Sequence, residues 1–281
     1  MGASSPSPSW QGKTAKKRLQ ISAEQPIGFV ANWARSQGSP KLRVIRYILG
    51  WIMKAIVAAS ACAMLWAGWQ TSEWRPSQCY GSIGSGRLSG ARRLPLMGSN
   101  FSAYSTFLWA IGRTSTHQKV RDTLLDAYAD LAATNPELQF VYGESGWPRG
   151  GQFRPHKTHR NGLSVDLFVP VRDLGGNVTT PPTYPWFGFG YGLHYDKDGR
   201  GHGQQVDFAA LAKYIDAISR AAAKHETRIS RVIFAADMQP ELFATPEGRA
   251  LSGKISFMKH DAWVRHDEHI HIDFDVPCGK Y

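Results

Sequence analysis

Cysteine is scarce in this 281-residue sequence: Cys62, Cys79 and Cys278 are the only three. None falls inside a histidine-rich stretch, which excludes the closed, cysteine-built type of structural zinc site. The helical zinc-peptidase pattern His-Glu-x-x-His is missing too, because His225-Glu226 is followed by Ile229 where the second histidine would fall. No internal repeat is present, which excludes solenoids and propellers. Acid is nearly absent from the beginning of the chain. Of 33 Lys and Arg and 22 Asp and Glu, nine and one fall before residue 55, leaving 24 and 21 for the remainder. The net charge of +11 is therefore +8 at the N-terminal end and only +3 elsewhere. Such a distribution marks membrane topology and gives no reason to expect nucleic-acid binding; the mildly basic remainder suits an anionic polymer.

Residues 1–42 are rich in Ser, Pro, Gly, Lys and Arg without periodicity and read as a flexible basic tail. Tyr47 to Trp69 is then apolar over 23 residues, interrupted only by Lys54. That length spans a bilayer. Lys41, Arg43 and Arg46 precede it, so the positive-inside rule leaves the tail in the cytoplasm and exports the rest. A second reading starts the chain at Met53, with Lys54 and the apolar run to Gly68 as a cleaved signal peptide. Both readings export the C-terminal portion. The expected organisation is a tail (1–42), an anchor or signal segment (43–70) and one domain (71–281). An oxidising compartment permits a Cys79–Cys278 disulfide closing nearly the whole domain; two separate thiols are the alternative.

Five of the ten histidines lie in two short stretches: His156-Lys157-Thr158-His159-Arg160-Asn161-Gly162-Leu163-Ser164-Val165-Asp166, and His266-Asp267-Glu268-His269-Ile270-His271-Ile272-Asp273. From Leu163 to Val169 the apolar residues alternate, so this piece reads as a strand with Asp166 on its polar face beside Ser164 and Phe168. The same period over 269–274 puts His269 and His271 on one face and Ile270, Ile272 and Phe274 on the other. Two such strands side by side would aim Asp166, His269 and His271 into one site, with His159 completing it. Histidines and a carboxylate are the ligands of a catalytic zinc ion, which keeps one position for water.

A histidine followed seven positions later by aspartate, then a distant His-x-His, resembles the metallopeptidase group of lysostaphin, the D-Ala-D-Ala peptidases and the hedgehog domain. The closer resemblance is to the penicillin-insensitive murein endopeptidases. His156 three before His159 and His266 three before His269 agree with that family, as do Gly86-Arg87-Leu88-Ser89, Leu94-Pro95, Gly98-Ser99-Asn100-Phe101 and Gly150-Gly151. The resemblance spans roughly 77–281. It implies Zn2+ held by His159, Asp166 and His271, with His269 acting beside the attacking water and His266 as a second active-site histidine. His156 would be an additional ligand or a substrate contact. The sequence departs from the family at Ser164, where an acid is expected.

The activity implied is hydrolysis of D-alanyl–diaminopimelate cross-links of peptidoglycan in the periplasm. Alternatives are a zinc D-Ala-D-Ala carboxypeptidase, or a zinc-containing cell-wall-binding domain without turnover. The expected fold class is α+β, one domain with a mainly antiparallel sheet resembling the hedgehog and D-Ala-D-Ala peptidase fold, after one N-terminal apolar helix. Apolar spacing predicts helices over 117–133 and from Phe208 to Ala222, and strands over 138–142, 163–169, 230–235 and 269–274. The Gly-, Pro- and aromatic-rich segment 175–203 reads as a long loop, either a substrate-groove wall or a self-packed surface feature. His194 and His202 within it read as surface residues. Glu144 and Trp147 lie close enough to the first motif to line the site, and His260 and Trp263, near the second, read as either core or groove.

Overall fold

The computed structural model describes residues 40–70, 75–260 and 262–281, so the tail expected over 1–42 lies outside the described residues up to residue 39. The chain divides into two units, Met1–Ile56 and Val57–Tyr281. Helix α1 (Pro40–Gln70) opens on a proline, whose fixed φ suits a first helical position where no N–H is required. Its stretch Pro40–Leu65 is long and apolar enough to cross a membrane. Val44, Ile48, Trp51 and Ile56 stand exposed on it, so it has no core of its own and fits an anchor or a signal segment.

In the second unit the elements run β1 (Gln78–Ser82), β2 (Ser85–Ser89), β3 (Arg92–Arg93), β4 (Phe101–Ala103), α2 (Thr106–Ala110), β5 (Ser115–Thr116) and α3 (Gln118–Thr134). There follow β6 (Phe140–Tyr142), β7 (Ser164–Phe168), β8 (Val171–Asp173), β9 (Val178–Thr179), β10 (Arg200–Gly201) and β11 (Gln204–Val206). The last are α4 (Phe208–Lys224), β12 (Arg228–Ile233), α5 (Gln239–Ala244), α6 (Pro246–Arg249) and β13 (His269–Asp275). The main sheet has the order β12-β13-β7-β6-β4. It is mixed: β4 and β6 run parallel and the other three pairings are antiparallel. The class is α+β.

Both long helices form where the apolar spacing predicts them. The side chain of His117 accepts the Lys119 N–H ahead of α3, and Asp207 accepts that of Ala210 ahead of α4, each satisfying an otherwise orphaned donor. Their buried stripes, Val120, Leu124 and Leu131 on α3 and Leu211, Ile215 and Ile218 on α4, join Ile270, Ile272 and Phe274 of β13 in one core. Phe101 stacks on Tyr128 at 4.3 Å and Phe140 meets Tyr214 at 4.4 Å. The opposite face of β13 presents His269, His271 and Asp273.

Strand edges differ from expectation by one or two residues, since pairing rather than apolarity ends a strand. Two larger differences bear on the site. Every residue of β7 is buried, including the face expected to be polar. Part of its cover comes from segment 175–203, which is largely loop as expected but carries two short strands and a helical turn that were not. That segment adds β9 and β10 to a small sheet (β10-β11-β8-β9) and turns through Pro185–Gly190 to lay Phe189 and Tyr191 against Phe168. Cys79 and Cys278 form a disulfide, as the bridged alternative expected.

Candidate metal centre and cleft

The register of two strands builds the site. In the antiparallel pairing of β7 and β13, Asp166 lies opposite His271, Phe168 opposite His269 and Ser164 opposite Asp273. Asp166 is wholly buried. Its Oδ1 lies 2.8 Å from His271 Nδ1, 3.1 Å from His159 Nε2 and 3.8 Å from His269 Nε2. Its Oδ2 accepts a hydrogen bond from Tyr191 Oη at 3.1 Å and lies 3.8 Å from His156 Nδ1. All the residues that the motifs single out therefore converge on one carboxylate, except His266, which reaches it through His269 with ring centroids 4.7 Å apart.

His159 gives the sharpest indication of what belongs there. Its Nδ1 is 3.2 Å from the Ser145 carbonyl, which can only accept, so the ring proton sits on Nδ1. Its Nε2 thus carries a lone pair and makes no hydrogen bond, although it faces the Asp166 carboxylate. Burial pushes His159 below the ordinary imidazole range in spite of that carboxylate, which keeps the ring neutral. Two buried electron-rich atoms 3.1 Å apart repel unless a cation lies between them. The backbone of His159 is also left-handed, at φ 64°, a conformation uncommon for non-glycine residues. Ligand atoms of His156, His159 and Asp166 lie within 4.8 Å of one another, a cluster able to hold a metal ion.

Carboxylates orient the other imidazoles. Glu144 accepts from Arg113 Nη2 at 2.7 Å and from Tyr104 Oη at 2.8 Å, and pairs with His156 Nε2 at 2.7 Å. Burial alone would raise its pKa, but His156 and Arg113 overcome this and hold it at about 2. The ionised carboxylate fixes the His156 proton on Nε2 and turns Nδ1 toward Asp166. Glu268 does the same for His269, whose Nδ1 is 2.9 Å from Glu268 Oε1. Burial lowers the basicity of His269, yet Glu268 and Asp166 outweigh it and leave its pKa above the ordinary value. His266 Nδ1 faces the Val264 carbonyl at 2.9 Å, and burial, with His269 beside it, brings the ring down to about 4, hence neutral at physiological pH.

His271 is held at both nitrogens. Its Nε2 lies 2.8 Å from Asp273 Oδ1, which also accepts from Ser164 Oγ at 2.6 Å, while Arg231 donates to Asp273 Oδ2 at 2.5 and 3.0 Å. The acid expected at position 164 is thus supplied by its cross-strand partner. Burial opposes a charge on His271, but Asp273 and Asp166 raise its pKa to about 9. A divalent cation on Nδ1 would displace that proton.

His156, His266, His269 and His271 line a cleft of about 770 Å³, while His159 and Asp166 are wholly buried next to them. Tyr104, Phe189, Tyr191, Met258, Trp263 and Val264 are among the cleft's apolar lining. Glu144 and Trp263 do line this space, whereas Trp147 packs against Phe153 and Arg113, and His260 is exposed. His194 is an exposed rim residue whose N–H donates to His202. Arg113, Tyr104 and the orienting roles of Glu268 and Asp273 were not foreseen. Only the last two carried a signal, as acids beside His269 and two residues beyond His271.

An α+β domain with a buried His/Asp cluster able to hold a metal, next to a cleft lined by further histidines, has the layout of a hydrolase. The family model of the penicillin-insensitive murein endopeptidases matches residues 79–281, and the chain belongs to that family. No curated protein matches it. Membership makes it a peptidase that acts on murein.

Proposed function

We propose that the chain is a zinc-dependent murein endopeptidase that hydrolyses D-alanyl–diaminopimelate cross-links. In this reading residues 71–281 are the metallopeptidase domain, with a fold like that of the hedgehog and D-Ala-D-Ala peptidase group. They work in the periplasm, held to the inner membrane by residues 47–69 or released after signal cleavage. The observation that carries the reading is the unpartnered Nε2 of His159 facing Asp166 Oδ1 at 3.1 Å, with His271 Nδ1 at 2.8 Å from the same oxygen. Two neutral imidazoles and one carboxylate are a zinc-type donor set with room for a substrate atom. Zinc there would polarise the scissile carbonyl and acidify water toward neutrality.

The remaining roles fall to the chain's own groups. His269 keeps its proton on Nδ1, toward Glu268, so its Nε2 can accept a proton from the attacking water and pass it to the leaving amine. His266, neutral and next to it, supports a second polar contact on the same side. His156, steadied by Glu144, is either a further ligand or a contact to the peptide. The family favours the endopeptidase over the carboxypeptidase, and a cleft of about 770 Å³ has room for a peptide.

The test uses purified cross-linked muropeptide dimers, with products read by mass. Conversion to monomers that stops with chelator and returns with zinc is the expected result. Release of terminal alanine alone would make the chain a carboxypeptidase, and no product from folded, zinc-loaded protein would leave a binding domain.

A further inference from the structure

The segment that covers β7 also raises two rings out of the fold. Tyr184 and Trp186 stack with centroids 4.8 Å apart and planes within 10° of parallel, and they are 55% and 74% exposed. Exposed aromatics scattered singly are ordinary, but a mutually supporting pair makes a flat apolar surface. The turn beneath it is well fixed. Pro181, Pro182 and Pro185 restrict the backbone, and the Tyr184 carbonyl accepts from the N–H groups of Phe187 and Phe189 at 2.9 and 3.1 Å. Phe187 packs on the main core and Phe189, at φ 57°, on Tyr104 and Phe168. The inner rings of the turn hold it down while the outer two face solvent. Gly188 and Phe189 line the cleft, so the pair adjoins its wall.

We propose that Tyr184 and Trp186 form a platform for the glycan strand of murein, which receives the C–H face of an N-acetylated hexose while the peptide occupies the cleft. The proposal rests on the murein-peptidase reading. Each peptide of murein is bonded to a sugar chain, so a cleft that takes the peptide has sugar at its rim. A pyranose presents one flat face of C–H groups, which complements the negative face of an aromatic ring. Because the platform is already rigid, little ordering entropy opposes binding.

The test uses the full chain in detergent, titrated calorimetrically with peptide-free oligomers of alternating N-acetylglucosamine and N-acetylmuramic acid. The wild-type chain should bind them, Trp186→Ala about tenfold more weakly, and Trp186→Phe nearly as well as wild type. On cross-linked dimers that retain their sugars, Trp186→Ala should raise KM about tenfold at unchanged kcat, and on sugar-free dimers it should change neither. Equal binding of the oligomers by wild type and Trp186→Ala would overturn the proposal, as would no binding by either. So would an equal loss on sugar-free dimers, which would make the rings a prop for the cleft. Vesicles of phosphatidylglycerol bound through Trp186 without any sugar binding would also overturn it, in favour of a lipid surface. If the wild-type chain cleaves no dimer, the endopeptidase reading fails, while the titration still decides the platform.

Discussion

His271 and Asp273 lie two residues apart on one strand face and are joined by a 2.8 Å hydrogen bond from Nε2 to Oδ1. The far nitrogen of the imidazole is thereby committed, and Nδ1 is the atom left for the Asp166 side. Ser164 and Arg231 keep Asp273 in place and ionised, its carboxyl held below the usual range against the effect of burial.

Asp273→Asn keeps the shape but removes the strong acceptor. It should weaken zinc binding about 10- to 100-fold, measured by competition with a chromophoric chelator. An unchanged affinity with a lowered Tm would mean that Asp273 serves the fold alone.

His271→Ala and His269→Ala should separate metal binding from turnover. The first is expected to lose zinc, read by elemental analysis after dialysis, together with activity. The second should retain zinc while kcat falls about 10²- to 10⁴-fold. Full zinc occupancy in His271→Ala would remove it from the ligand set, and undiminished turnover in His269→Ala would remove that residue from proton transfer.

Gly143 admits Tyr191. A Cβ at position 143 would lie 2.6 Å from Tyr191 Oη, the atom that accepts from the Glu144 N–H and donates to Asp166. Gly143→Ala should destabilise the protein by about 1–3 kcal/mol in urea unfolding. Tyr191→Phe should share that loss, so the double variant costs less than the sum of the two. Strict additivity would show that the glycine and the hydroxyl act separately.

Stability should fall in acid partly through His117, which is not one of the residues gathered around Asp166. Its pKa is held at about 4, chiefly by burial, against an ordinary 6.5. Below pH 6.5 the unfolded chain takes up this proton first, so stability declines from there to about pH 4 and then levels off. The loss attributable to this residue is roughly 3 kcal/mol. His117→Asn keeps a cap for α3 and should flatten that part of the profile. The same slope in both proteins, from urea midpoints at pH 7 and 4.5, would assign it to other groups.

Much of the site could be read in the sequence because its parts are short-range. A two-residue period fixes the faces of β7 and β13, and a three-residue offset brings His156 near His159. The two long helices were legible from apolar steps of three and four. What escaped was long-range. Arg113 reaches Glu144 across 31 residues and Tyr104 across 40, and neither sits in a pattern of its own. The cover over β7 escaped for the same reason. Phe189 and Tyr191 belong to a segment whose glycines and prolines read as loop, and only tertiary contact shows which rings face inward. The polar face of β7 read as lining a site, but its burial at every position did not show in the pattern.

The pairing of β7 with β13 has a consequence for how the chain recognises its own correct form. Because side chains alternate along a strand, sliding β13 by one residue would turn Ile270 and Ile272 into the cleft and His269 and His271 into the core. The alternation opposes that slip, but the two partners, Asp166 and His271, are separated by 105 residues, so their alignment depends on long-range pairing. A cation that binds only when both stand opposite each other adds its binding energy to one alignment and to none of its neighbours. The centre proposed for cutting murein would then also serve as a proofreader of strand alignment, and apo protein should misalign more often as it folds.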